Sequence, residues 1–458
     1  LRQGVTWAPR SSRPLRIEGQ SGPISAPGRT HAAATRAAQD DLSGKLRIPS
    51  SRVRFSLQET FASLRHPNYR LWFLGQLASL MGTWMQTTAQ GFLVFELTHS
   101  AVYLGYVGFA TGAPSLLLML FGGVVSDRTA RRGLLIATQT AMMALAFILA
   151  GLAFAGAVQP WSIVAMAFGL GIANAFDAPA RQAFVLEMVA REDLSNAIAL
   201  NSTMYNLATV VGPAMGGLTY ALFGPAWCFT INGVSFLAVI AALARMRLAP
   251  RTASPPRRSA LTDLREGLNY VASNPTVLTL ILVSGVTGLV GLAYSTLIPA
   301  WSVVVLAGGS ATNGWLQSAR GLGSLIAALM IASLGRFRFK GRLLTLGTLA
   351  FPAMIVAFSF VRWTPLAALV LVGVGWGYMV LFNMINSLIQ HEVPDTLRGR
   401  VLAFYSLSFN GLLPIGALLA GAAADWLGEP QTVLLSGTLL LAFAILLWFR
   451  APGLRRLE

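Results

Sequence analysis

Residues 122–132 read Gly-Gly-Val-Val-Ser-Asp-Arg-Thr-Ala-Arg-Arg and join two long apolar runs. They fit the pattern G-x-x-x-D-R-x-x-R-R, carried by Gly123, Asp127, Arg128, Arg131 and Arg132. Each residue type suits a task at a helix end. A small residue such as Gly123 is expected to let a neighbouring helix approach closely. A carboxylate such as Asp127 complements the positive N-terminus of another helix. The arginines suit carboxylates or lipid phosphates. A short basic loop between apolar runs belongs at a membrane surface, where arginines mark one side.

The chain on either side of this loop stays apolar. Of 458 residues, 55% are hydrophobic and only 11% charged, against about 25% charged in soluble domains. So few charges cannot coat a soluble globule of this size, which excludes a soluble enzyme. So much apolar side chain excludes disorder over most of the chain. A spanning helix takes roughly 20 apolar residues. Twelve are expected, at about 70–96, 101–126, 133–156, 161–187, 195–221, 225–246, 275–305, 312–334, 342–361, 365–389, 399–424 and 430–449. The fold class expected is all-α integral membrane, with the twelve helices in two six-helix bundles.

The formal net charge of +17 by itself suggests nucleic acid. The positions exclude that partner, because the basic residues sit in short clusters between apolar runs and not on a folded basic face. With the N-terminus placed inside, the inner connections and C-terminus after residue 70 carry twenty Arg and Lys, and the outer connections carry only Arg362. That asymmetry predicts both termini in the cytoplasm and an even number of spans.

Residues 1–56 hold ten basic and three acidic residues and show no apolar period. They are expected to be a disordered basic tail. The first Met is Met81, inside an apolar run, which fits a tail that is not translated, with a start near Val53 or Leu57. An organellar transit peptide has a similar composition. The domains expected next are an N-terminal six-helix bundle over 57–246, a basic cytoplasmic linker over 247–274, a C-terminal bundle over 275–450, and a cytoplasmic tail over 451–458. Weak likeness between the halves, with Gly/Pro runs in the fifth and eleventh spans, suggests a transporter built from repeats around a central site.

Neither metal nor cofactor is expected. The four His residues are scattered, Cys228 stands alone and reads as a small buried apolar residue, and no Walker A pattern occurs. The chemistry must come from polar groups inside spans. On span five, Gly212 and Gly216 share one helix face, with Pro213 bending the helix and Gly217 alongside. On span four, Asp177 and Arg181 are four apart and face the same way. Charges there are costly and are paired or functional. Two roles stay open for this pair: structural pairing, including with the arginines of 128–132, and a direct part in proton coupling. Gln86 and Gln90 on span one, Arg320 on span eight, and Asn383 and Asn386 on span ten are candidates to face a central cavity. Helix–helix hydrogen bonding is the plainer role for all but Arg320, the one basic residue within a second-half span.

These features together resemble the major facilitator superfamily. The 122–132 loop is similar to that superfamily's gating motif, with Ala130 in place of the usual Gly. The matching loop at 335–342 lacks the acid. The span-five motif resembles that of proton-coupled exporters. The stretches at 74–86, 95–100, 175–184, 194–202 and 206–213 narrow the resemblance to the branch holding enterobactin and macrolide exporters, over about residues 57–450. Thr209 departs from the basic residue many relatives carry there. The resemblance implies a bacterial inner-membrane exporter of a small amphiphile (a drug, macrolide or siderophore), driven by protons through alternating access, in contact with lipid and working as a monomer. The rival from the same fold is a facilitator or uptake carrier for a metabolite, favoured by the scarcity of buried acids. A membrane-embedded enzyme lacks a polar catalytic cluster, and a channel lacks recognisable filter loops or charge rings.

Overall fold

The computed structural model describes residues 61–247, 260–335, 337 and 339–457. The tail read over 1–56 and the part of the linker at 248–259 lie outside the described residues. Leu57–Glu458 forms one compact unit. Its architecture is twelve long helices: α1 Pro67–Thr98, α2 Ala101–Arg128, α3 Arg131–Phe154, α4 Pro160–Phe184, α5 Leu194–Phe223, α6 Pro225–Arg245, α7 Pro275–Val305, α8 Ser310–Leu334, α9 Lys340–Ser359, α10 Thr364–Glu392, α11 Asp395–Leu427 and α12 Glu429–Arg450. Among the described residues a long helix lies at each of the twelve expected positions, with ends shifted by a few residues. Helices satisfy their own backbone groups, which a membrane interior demands.

Ten of these helices are long and apolar enough to cross a membrane by composition alone. The other two are α1 and α5, which run to 32 and 30 residues. Their deficit is chemical. Gln76, Thr83, Gln86, Thr87, Thr88 and Gln90 lie along α1, and Asn201, Ser202, Thr203, Asn206 and Thr209 along α5. The two polar helices pack against each other, and Gln76, Gln86, Thr88 and Gln90 of α1 are buried. The perimeter is apolar: Leu117, Trp161, Leu369 and Phe449 are among the exposed side chains, as a lipid-facing surface requires.

Within the first six helices, α4 packs on α2 and α3, and α1 packs on α5 and α6. Among the last six, α10 packs on α8 and α9, and α11 on α7. Two seams join the sets, α2 with α11 and α5 with α8. Both depend on absent side chains. A Cβ on Gly105 would lie 2.9 Å from the Ala417 carbonyl, and one on Gly421 would lie 2.6 Å from the Ala101 carbonyl. On the other seam, Gly217 and Gly314 face each other, each 2.9 Å from where a Cβ of the other would meet its Cα. These contacts gather toward the end of the bundle away from the basic loops. At that end Gly224 and Gly428, with φ of 85° and 84°, turn α5 into α6 and α11 into α12 within one residue. That left-handed backbone favours glycine, and its recurrence is a structural echo of the repeat.

α7 is not a uniform helix. Two π-helical turns, Thr287–Gly291 and Trp301–Val305, interrupt it, with Pro299 between them. The segment before α7 is an amphipathic helix, Ala260–Ser273. Asn274 ends it and caps α7, its side-chain oxygen accepting from the Thr276 and Val277 amides at 3.1 Å each. Arg400 pairs with Glu266 of this helix, which fastens it to α11. The 451–458 segment, read as a tail, begins with a short turn over Pro452–Arg456, and the Leu457 carbonyl accepts from the Gly341 amide at 3.0 Å.

Candidate functional site

α4 carries Asp177 below small residues at alternate positions, Gly169, Gly171, Ala173 and Ala175, and neighbouring helices close in on that stretch. Ser115 of α2 donates to the Gly171 carbonyl at 3.0 Å, and a Cβ on Gly122 would overlap the Ala175 carbonyl. That places Asp177 deep in the first six helices, 1% exposed. It is the one buried charged residue among the described residues. Thr138 and Gln139 of α3 both donate to its Oδ1 at 2.9 Å, and Arg181 Nε lies 3.5 Å from Oδ2. Burying a carboxylate is tolerable only with such partners.

Asp177 and Arg181 border a cavity of about 210 Å³. Its other walls include Gln76, Thr83 and Thr87 of α1, Gln139 of α3, Asn174 of α4 and Tyr205 of α5. Trp84 meets Tyr205 edge-on, ring centroids 6.0 Å apart. Polar groups from four helices thus converge on one chamber, with Trp84, Met142 and Phe236 as its apolar floor. Such a chamber suits a small amphiphile.

The other sequence-derived residues fall into three places. Gln86 and Gln90 turn away from the chamber: Gln86 accepts from Asn232 Nδ2 at 2.7 Å, and Gln90 donates to the Ile163 carbonyl at 3.2 Å. Asn383 donates to the Met379 carbonyl at 3.0 Å, and Asn386 accepts from Gln390. Arg320 is half-buried on α8, beside the hydroxyls of Tyr205, Tyr294 and Tyr378.

The 122–132 loop is a separate cluster at the basic end. Arg131 bridges it to α4, donating to Glu187 at 2.7 Å and to the Ala183 carbonyl at 3.3 Å, with Asp127 3.4 Å away. Arg132 donates to the Ala244 and Met246 carbonyls at 2.7 and 3.3 Å, capping α6. Among the described residues the partners of Asp177 are Thr138, Gln139 and Arg181, not the arginines of this loop. The close-approach residue is Gly122; a Cβ on Gly123 meets nothing within 4 Å. Gly212 and Gly216 do share a face, which meets α1. A Cβ on Gly216 would lie 2.7 Å from the Met85 carbonyl, and one on Gly212 2.5 Å from the Trp84 Cβ. Gly217 faces α8 instead.

Thr138, Gln139 and Tyr205 were missed from sequence. Adjacent Thr138-Gln139 inside an otherwise apolar span was the available signal for the first two.

The family profile described as transmembrane secretion effector, one of the major facilitator group, matches residues 58–456. The chain belongs to this family. It is thus a major facilitator transporter, and its relatives agree. The staphyloferrin A transporter of Staphylococcus aureus is 24% identical over 383 residues, covering 83% of this chain and 95% of its own. The enterobactin exporter EntS of Escherichia coli is 26% identical over 399 residues, covering 85% and 93%. Among solved structures, an inward-facing bacterial homologue of the human lysosomal transporter Spinster superposes with a TM-score of 0.64 at 14% identity, covering 87% of this transporter and 98% of that chain. The nucleoside transporter NupG gives 0.65 at 14%, covering 84% and 99%. These solved structures speak for the fold.

Proposed function

We propose that this transporter exports a small amphiphile (a siderophore, macrolide or drug) across the bacterial inner membrane, by alternating access and coupled to inward proton flow. Asp177 carries the reading: a fully buried carboxylate on the wall of a membrane-embedded polar chamber, held by Arg181, Thr138 and Gln139. Protonation would remove the charge that holds Arg181 while leaving an acceptor for the α3 donors, so the Asp177–Arg181 pair is the contact that would change. The two relatives named for staphyloferrin A and enterobactin support a siderophore-sized cargo. The loop charge supports cytoplasmic termini.

In this reading the two six-helix bundles rock about the chamber. The close glycine contacts of the seams at the end opposite the basic loops support a state closed on that side. Asp127 would serve the other state, capping the first turn of α11 when the basic end closes.

The rival carrier without proton coupling draws on one observation. Asp177 already has three partners, as a fixed structural ion pair inside a span would. Purified protein in liposomes with an internal pH dye decides between them. Lipophilic cations, macrolides and catecholate siderophores are added under a proton gradient. Substrate-triggered proton movement that disappears in Asp177→Asn supports antiport. Substrate movement without protons removes it.

A further inference from the structure

Tyr205 borders the chamber described above, and a second cation, Arg320 of α8, is in its neighbourhood. α5 and α8 run antiparallel along their glycine seam: Gly217 meets Ser310 and Gly314, and a Cβ on Gly321 would overlap the Thr209 carbonyl. That contact fixes the backbone of Arg320, the residue before Gly321. It does so one helical turn from Tyr205, which precedes Thr209 by four. On its other side α8 is pinned to α10, because a Cβ on Gly375 would overlap the Arg320 carbonyl, and Ser324 donates to the Gly375 carbonyl at 3.2 Å. Arg320 therefore cannot drift from the seam. Arg181 of the first half and Arg320 of the second are both charged neighbours of the Tyr205 hydroxyl.

The charges do not balance. Arg181 reaches Asp177 through Nε alone, and its terminal nitrogens bond nothing among the described residues. Arg320 has no carboxylate partner among the described residues. Two guanidiniums and one carboxylate leave one positive charge in excess inside the spanning bundle, where an uncompensated charge is costly. A polar group stands beside it. The Tyr294 hydroxyl, on a residue 1% exposed, lies within reach of Arg320 and bonds no other group among the described residues. Alongside lies an aromatic wall: Tyr378 and Phe382 have centroids 4.7 Å apart, and Phe382 and Phe409 4.3 Å.

We propose that Arg181, Arg320 and Tyr205 form a binding site, shared by the two halves, for the acidic group of an organic anion whose apolar ring lies on the Tyr378–Phe409 aromatic surface. The anion supplies the missing negative charge. Its oxygens accept from the terminal nitrogens of both guanidiniums, a charge-assisted geometry that arginine favours. Its ring replaces water on the aromatic surface. Because one guanidinium belongs to each half, occupation draws the halves together around the ligand, while Asp177 competes with it for Arg181. This deepens the export reading by naming the cargo as anionic, against the cationic drugs that reading also admits.

Equilibrium dialysis of the purified full chain tests it with three probes of similar apolar character: 1-naphthoate, its uncharged methyl ester, and tetraphenylphosphonium. The acid is expected to bind about ten-fold or more tighter than the ester or the cation, since a charge-assisted hydrogen bond is worth about 1.5 kcal/mol or more. Arg320→Gln and Arg181→Gln should each lose about ten-fold in affinity for the acid, with Arg320→Lys intermediate. Thermal melting supplies a second readout. Arg320→Gln removes an unpaired charge, so the empty protein should melt no lower than wild type, whereas a structural arginine would lower it.

Equal binding of acid and ester, preference for tetraphenylphosphonium, unchanged acid binding in Arg320→Gln, or no acid binding at millimolar concentration overturns the site. Transport of the same probes into liposomes is scored separately. Arginine-dependent binding without transport keeps the site and removes the export reading. Export of tetraphenylphosphonium without acid binding keeps export and removes the anion site.

Discussion

The Asp425 carboxylate at the end of α11 caps the first turn of α2, accepting from the Ala101 amide at 2.8 Å. The same group accepts from the Val102 amide at 3.3 Å and from the Ser100 hydroxyl at 2.8 Å. Ser100 occupies the N-cap position of α2, yet its side chain makes no cap of its own. A residue 325 positions away does that work, so a local helix-end requirement has become a bond between the two halves. The first amide groups of a helix have no internal partner, and a carboxylate there also meets the positive end of the dipole.

Removing that cap should loosen the end opposite the basic loops. Asp425→Ala is expected to cost about 1 kcal/mol, shifting the seam equilibrium toward opening by about five-fold. Spin labels at Phe223 and Trp426, in a Cys228→Ser background, read the separation of the halves at that end. An unchanged distance distribution would show that the glycine seams hold without the cap.

Gln139→Leu deprives Asp177 of one donor while leaving Thr138 and Arg181. Stability should fall by about 1–3 kcal/mol, the usual cost of leaving a buried acceptor short of a partner. Melting in detergent measures it. A melting point equal to wild type would mean that water replaces the Gln139 amide.

Gly216 of α5 and Gly123 of α2 are expected to behave differently, because only the first meets a neighbouring helix. Gly216→Leu drives a side chain into the α1 backbone and should destabilise by about 1–3 kcal/mol or more, with transport lost. Gly123→Ala should leave the melting point unchanged, because its Cβ meets open space in this conformation. If Gly123→Ala lowers transport while stability holds, the residue is needed in the other conformation.

Arg131 and Glu187 should behave as a pair. Arg131→Ala and Glu187→Gln each weaken the tie between the 122–132 loop and α4, and the double variant should be less damaging than the sum by about 0.5–1 kcal/mol. Chemical denaturation of all four proteins closes the cycle. Strict additivity would leave the 2.7 Å contact without energetic weight.

The twelve helices were legible because each is written locally, in its own apolar length and flanking charge. Even the seventh, with its two π-helical turns, was bounded at 275–305, since irregular turns leave an apolar run intact. The site was legible only in part. Asp177 and Arg181 stood out because charges inside a span are rare, and their spacing put them on one face. Gln86 and Gln90 were equally polar but serve α6 and α4, because polarity reveals that a partner is needed and not which helix provides it. Gly123 was preferred to Gly122 on pattern, although neighbouring residues on a helix point about 100° apart and only one meets α4.

What the amino-acid order specified is whatever depends on short stretches: the membrane class, the number of spans, the unpaired look of Arg320 and the close-packing glycines. Tertiary structure alone assigned Thr138 and Gln139 to Asp177, brought Arg181 and Arg320 into the neighbourhood of Tyr205, and brought Asp425 to α2. Those pairings join residues tens to hundreds of positions apart. They exist only once glycine seams have brought particular helix faces within hydrogen-bond range, and angstrom-scale distances between helices are written in no single stretch of the chain.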